Sequence, residues 1–198
     1  MKIIFLTLLL FLIDQLSKLF VRGFSLPLLN INHNGFNLGE TKPVINNFLH
    51  ITLVENPGIA FGIVPGDFLK DFILILTIVL CLGFFGYLIL ARNADFKVRF
   101  SVGLILAGAA GNLFDRIFYG YFYNYAPLFQ GNVVDFIDVK FFKSFLFGHI
   151  PGNYVFNFAD LSITMGVFMI IYLIIKSKKE EKDKTLVQQL VEERQDSL

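Results

Sequence analysis

Val155-Phe156-Asn157-Phe158-Ala159-Asp160-Leu161-Ser162-Ile163-Thr164-Met165-Gly166-Val167-Phe168-Met169-Ile170-Ile171-Tyr172-Leu173-Ile174-Ile175 is long and apolar enough to cross a bilayer, and Asp160 is its one charge. A helix needs roughly 20 such residues to span the hydrocarbon core. A carboxylate at that border is costly, so it implies a partner or a task. The acid best placed to meet it lies upstream, in Val133-Val134-Asp135-Phe136.

Working outward, the whole composition fits a membrane chain. Of 198 residues, 55% are hydrophobic and only 17% charged, with a mean hydropathy of +0.64. That is too apolar for an ordinary soluble domain. A net charge of +1 gives no basis for a nucleic-acid partner. The one cysteine, Cys81, sits inside an apolar run, where a thiol behaves as a small hydrophobe.

Lys2–Arg22 begins like a signal peptide, but Asp14, Gln15 and Lys18 interrupt the apolar core and no small-residue cleavage site follows. It reads as a retained first helix. Asp14 and Lys18 are four apart and share a face, which makes them a structural ion pair at the membrane border able to support a neighbouring site. Gly23–Asp71 is rich in turn residues, and Phe48–Val54 reads as a strand within it. Such a segment can hold another chain by strand addition. Phe72–Ala91 carries no charge and gives the second span. The third starts near Phe100 and carries a Gly103-Ala107-Gly111 ladder that lets another helix approach closely. Aromatic-rich Phe118–Phe129 has the composition of a bilayer interface. The dense charge after Lys176 reads as a solvated tail with a helical portion.

The expected fold is an all-α membrane protein with four transmembrane helices, spans about 2–22, 72–91, 100–118 and 155–175. A small extracytoplasmic β-rich segment (23–71) lies between helices 1 and 2. Residues 1–176 form the membrane domain and 177–198 a charged cytoplasmic tail. Lys2, the Arg92–Arg99 link and the Lys176–Lys184 cluster fall on one side, so both termini are expected in the cytoplasm. Asn56, Arg116, Asp135 and Asp160 then gather near the outer face.

Two close carboxylates share a proton, so one can act as base on water and the other as acid to a carbonyl. Peptide hydrolysis by that route requires neither a metal nor a cofactor. His33, His50 and His149 are scattered, no HExxH or paired-cysteine pattern exists, and no G-x-S-x-G elbow appears. Ser17 and Lys18 are adjacent and so point to different helix faces, against a Ser–Lys dyad. On composition and spacing alone, a peptidase and an ion-binding carrier using the same acids are evenly matched.

Five blocks break the tie. Asp14-Gln15, Asn56-Pro57-Gly58-Ile59-Ala60-Phe61, Gly111-Asn112-Leu113-Phe114-Asp115-Arg116, Val133-Val134-Asp135-Phe136 and Phe156-Asn157-Phe158-Ala159-Asp160 resemble, in order, the signature motifs of lipoprotein signal peptidase, the bacterial signal peptidase II. The resemblance implies an aspartyl endopeptidase of the bacterial cell membrane. It would cut diacylglyceryl-modified prolipoproteins on the amino side of the lipidated cysteine, working as a monomer among membrane lipid. It implies Asp135 and Asp160 as the catalytic dyad. Asn56, Asn112, Arg116 and Asn157 would be polar support, with Asp14 a further member. Asn157 and Asp160, three apart, share a face, so the amide can orient the acid. Arg116 is expected to bind a substrate carbonyl or brace the loop, and a cation so close would depress carboxylate pKa values. Asp115 reads as a helix-end charge. Asp138 rivals Asp135, because a loop can present either, and the motif selects Asp135.

Overall fold

The computed structural model describes residues 2–58, 66–140 and 155–196. Among these, four helices are long and apolar enough to cross a membrane. Helix α1 is Lys2–Arg22, α2 is Asp67–Leu90, α3 is Phe96–Phe114 and α4 is Phe158–Asp196. Asp95 caps α3, its side chain accepting from Lys97 N at 2.6 Å. Past Phe114 the helix widens into a π turn over Asp115–Tyr119 and closes with Gly120–Phe122.

Close approaches fix the packing around α3. Ile3 and Thr7 lie against Gly103 while Asp14 lies against Gly111, so α1 and α3 run parallel. Ala159 meets Gly108, and Gly166 meets Ser101 and Ile105, so α4 runs back antiparallel. The Gly103 and Gly111 steps of the predicted ladder thus receive α1. A Cβ on Gly108 would fall on the Ala159 carbonyl oxygen and 2.7 Å from Ile163 Cγ1. We expect Gly108→Ala to destabilise the protein by ~1–3 kcal/mol through overpacking. Thermal unfolding in detergent measures it. Gly83→Ala, which meets nothing within 4 Å, serves as the control, and equal melting of the two would contradict a tight α3–α4 seam.

Two sheets lie at the end of the bundle where α1 and α3 finish and α2 and α4 begin. Strands β1 (Phe24–Leu26) and β2 (Ile31–His33) form a small antiparallel hairpin. Strands β3 (Thr41–Ile45), β4 (Leu49–Asn56), β5 (Val133–Val139) and β6 (Val155–Phe156) form an antiparallel sheet in that order. Val21, Leu53, Tyr119, Val134 and Phe136 pack together and join sheet to bundle. Gly23 turns the chain out of α1 at φ +89°, where a Cβ would sit 2.7 Å from the Asn34 carbonyl oxygen. Only glycine suits both demands.

Four expectations change, one of them the start of the third helix, which lies at Phe96 rather than about 100. The β structure is not confined to the segment between helices 1 and 2, because β5 and β6 come from between α3 and α4, β5 pairing with β4 and β6 with β5. The fourth helix begins at Phe158 rather than 155, since Val155 and Phe156 pair with Asp138 and Ile137. The second begins at Asp67, five residues before the expected start. The tail after Lys176 continues α4 without a break to Asp196. Motif residues 59–61 and the expected loop features at Gly148, Pro151 and Gly152 lie outside the described residues.

Candidate active site

Asn157 stands immediately before α4 and caps it reciprocally. Its Oδ1 accepts from Asp160 N at 3.0 Å, and Asp160 Oδ2 accepts from Asn157 N at 3.2 Å. This is a capping box with aspartate in the third helical position. The geometry seats Asp160 over the free N–H groups at a helix N-terminus, which favour negative charge. The spacing of three that put Asn157 beside Asp160 is therefore realised through the main chain.

The same asparagine reaches the second acid. Asn157 Nδ2 donates to Asp135 Oδ1 at 2.6 Å and to Asn112 Oδ1 at 3.0 Å. Asp135 Oδ2 accepts from Asn56 Nδ2 at 3.0 Å. Asn112 Nδ2 donates to Asp160 Oδ1 at 2.8 Å. Asp135, on β5, is 2% exposed, whereas Asp160 is half-buried. Burial first, and Asp160 beside it second, push the Asp135 carboxyl up to about 7. The expected depression by Arg116 is thus reversed, because desolvation outweighs the opposing charges and the amide donors.

Beneath the two acids lies a buried ionic floor. Lys18 is fully buried and its Nζ lies 2.8 Å from both Asp14 Oδ2 and Asp115 Oδ2, donating also to Asn112 Oδ1 at 3.0 Å. Asp14 Oδ1 accepts from Ala159 N at 2.9 Å, and Asp115 Oδ2 from Val134 N at 3.1 Å. Gln15 Nε2 bridges Asp14 Oδ2 and Asp115 Oδ1, and Tyr119 Oη donates to Gln15 Oε1 at 3.1 Å. So Asp14 and Lys18 do pair, buried inside the bundle. Asp115 is not a solvated helix-end charge. Asp115 points toward α1, where it meets Lys18, while its neighbour Arg116 lines a separate cavity.

Arg116 is half-buried, and its Nη1 is 3.5 Å from the Asn112 carbonyl oxygen. It lines a cavity of about 370 Å³ together with Pro57, Gly58, Lys70 and Tyr125. Asp138 points to the other side of the sheet, where Thr52 Oγ1 donates to its Oδ2 at 3.0 Å. Three residues along a strand reverse the face, so Asp138 does not join Asp135. The structure therefore brings Asp14, Asn56, Asn112, Asp135, Asn157 and Asp160 into one hydrogen-bonded assembly, with Arg116 at its edge. Lys18, Asp115, Gln15 and Tyr119 belong to it too. The sequence held one clue to them, the polar positions 14, 15 and 18 along an otherwise apolar helix.

Fold and cluster together define a multi-pass membrane protein with a carboxylate centre held at one end of its bundle. Comparison with known proteins makes this specific. Residues 6–176 match the model of the family described as Signal peptidase (SPase) II, and the chain belongs to that family. A lipoprotein signal peptidase of Desulfitobacterium hafniense (strain DSM 10664 / DCB-2) is 34% identical over 172 residues, 86% of this chain and 91% of the relative. One of Fusobacterium nucleatum is 34% identical over 182 residues, 90% of each chain. A solved bacterial membrane enzyme superposes with a TM-score of 0.67 at 28% identity, covering 90% of both chains.

Proposed function

We propose that the protein is an aspartyl endopeptidase that removes signal peptides from diacylglyceryl-modified prolipoproteins, cutting on the amino side of the lipidated cysteine. Family membership supports the removal of signal peptides from lipoproteins. The single observation behind the chemistry is that one residue, Asn157, holds both Asp135 and Asp160 by hydrogen bonds.

In this reading the pair carries one proton between them, shared as in other close carboxylate pairs. Asp135, its carboxyl pushed up to about 7 by burial, is the member that carries it. Asp160, at the start of α4, acts as the base and takes a proton from water as that water attacks the scissile carbonyl. Asp135 gives its proton to the carbonyl oxygen. As the tetrahedral adduct collapses, one hydroxyl returns its proton to Asp135, the C–N bond breaks, and the proton taken from water passes from Asp160 to the departing amine of the cysteine. Asn56, Asn112 and Asn157 fix the carboxyl orientations, and Arg116 faces the cavity through which a substrate backbone would pass. The test is cleavage by purified protein of one precursor with and without diacylglycerol on its cysteine. Only the modified precursor should be cut, and equal cutting of both would overturn the substrate assignment.

A pH effect on stability follows from Asp135. Its native carboxyl titrates near 7, and an unfolded aspartate near 3.9. Between about pH 4 and 7 the native state therefore holds a proton that the unfolded chain has released, so stability falls as pH rises across that window and levels off above it. The loss attributable to this group is on the order of 2–4 kcal/mol. Asp135→Asn should remove that part of the slope, as followed by melting temperature from pH 4 to 8. An unchanged slope would assign the titration elsewhere.

A further inference from the structure

The β1–β2 hairpin plays no part in the site, and its surface is unusual for a segment outside a span. Its tip is the turn Pro27–Leu29, with Asn30 in the left-handed region at φ 52° closing it. Leu28 is 99% exposed and Leu29 66%, with Leu26 and Ile31 each 45% exposed on the flanking strands. No Asp, Glu, Lys or Arg occurs from Gly23 to Gly39.

The direction in which the hairpin leaves the bundle says what it meets. Helix α1 exposes Phe5, Leu8, Leu12, Leu16 and Phe20, while Asp14, Gln15 and Lys18 face inward. The exposed stripe is thus the lipid side of a spanning helix. The hairpin folds onto the last member of that stripe. The His33 ring stacks on Phe20 with centroids 4.8 Å apart and an interplanar angle of 22°, and His33 Nε2 is 2.7 Å from the Phe20 carbonyl oxygen. The Phe24 ring lies 5.7 Å from the His33 ring.

We propose that the Phe24–His33 hairpin is a lipid-binding finger, whose tip at Leu26, Leu28, Leu29 and Ile31 enters the boundary between phospholipid headgroups and acyl chains beside α1. The occupant is bilayer lipid because the apolar tip continues the lipid-facing stripe of α1, and Arg22, the one charge between them in sequence, is tied up by Glu55 at 2.8 Å and the Tyr123 ring. An uncharged tip of this kind gains by leaving water. The depth is bounded as well. Among the described residues the hairpin pairs only with itself, so the outer backbone groups of both strands need polar partners and cannot sink into hydrocarbon. The tip therefore stops at the interface.

The chain has no tryptophan, so Leu28→Trp provides a sole intrinsic reporter, and Leu29→Trp repeats the measurement. Leu82→Trp, on an exposed face of the α2 span, calibrates the hydrocarbon interior. Each variant is reconstituted in phosphatidylcholine–phosphatidylglycerol vesicles. Expected are blue-shifted emission and weak iodide quenching at position 28. Quenching there should be severalfold stronger by lipids brominated near the headgroup than by lipids brominated deep in the chain, the reverse of position 82. Iodide-accessible emission that brominated lipids leave unchanged would overturn the proposal. So would a blue shift that appears only at high protein density, which would assign the tip to a second copy of the chain. The readout does not involve cleavage, so it stands or falls separately from the peptidase assignment.

Discussion

Asp135→Asn and Asp160→Asn should each reduce cleavage of a diacylated precursor by about 10³-fold or more, the scale of a lost general acid or base. The two substitutions act through different steps. Asparagine at 160 has no lone-pair base for the attacking water, whereas asparagine at 135 cannot transfer a proton and return to its starting state. In the proposed mechanism the pair works as one unit, so the double variant should be scarcely worse than either single one. Both variants should still insert and melt cooperatively, since the asparagine side chain retains an acceptor for one of the amide donors around each acid. Substantial turnover in either variant, measured with purified protein and a fixed lipidated substrate, would rule out the dyad.

Lys18→Met is the second large expectation, and it concerns stability before chemistry. Lys18 lies fully buried between Asp14 and Asp115. Removing the ammonium strands two carboxylates in a dry interior, an effect worth ~3–5 kcal/mol. The loss should be partly reversed in the double variant Lys18→Met with Asp115→Asn, because the uncompensated charge goes with its partner. A second consequence separates positioning from mere support. With Lys18 and Asn157 both donating to Asn112 Oδ1, the Asn112 amide nitrogen is directed at Asp160. At a temperature where Lys18→Met remains folded, kcat should fall several-fold with little change in KM. Activity equal to the parent under those conditions would confine Lys18 to a structural role.

Much of this architecture is legible along the chain because hydrocarbon imposes a simple demand. A run without charges must be a span, and a charge within one must be answered from another helix. That logic locates α1 and singles out Asp14, Asp135 and Asp160, whereas Asn56, Asn112 and Asn157 enter as site candidates only through the motif resemblance. It fails where hydropathy carries no directional information. Val133–Val139 and Val155–Phe156 are as apolar as the helices, so nothing local marks them as strands that extend the sheet from β4. The pairing of β5 with β4 is a long-range event across α2 and α3. Asp115 is hidden by its neighbour, since Arg116 offers an apparent local partner, whereas the real one is Lys18 on another helix. The helical tail follows from good helix formers supported by pairs such as Lys176 and Glu180, 3.7 Å apart, but its unbroken junction with a span has no mark in composition.

Asn157 grips one acid with its main chain and the other with its side-chain amide, and this makes it a spacer of fixed length. The separation of the two carboxyls then depends on the covalent dimensions of a single residue rather than on how tightly four helices squeeze together. Bilayers of different thickness tilt and stretch a bundle, but α4 carries Asp160 and its capping residue as one rigid turn. A tilting α4 would draw the strand bearing Asp135 along with it through that amide. Tolerance of varied lipid surroundings is thus built into the first turn of a helix.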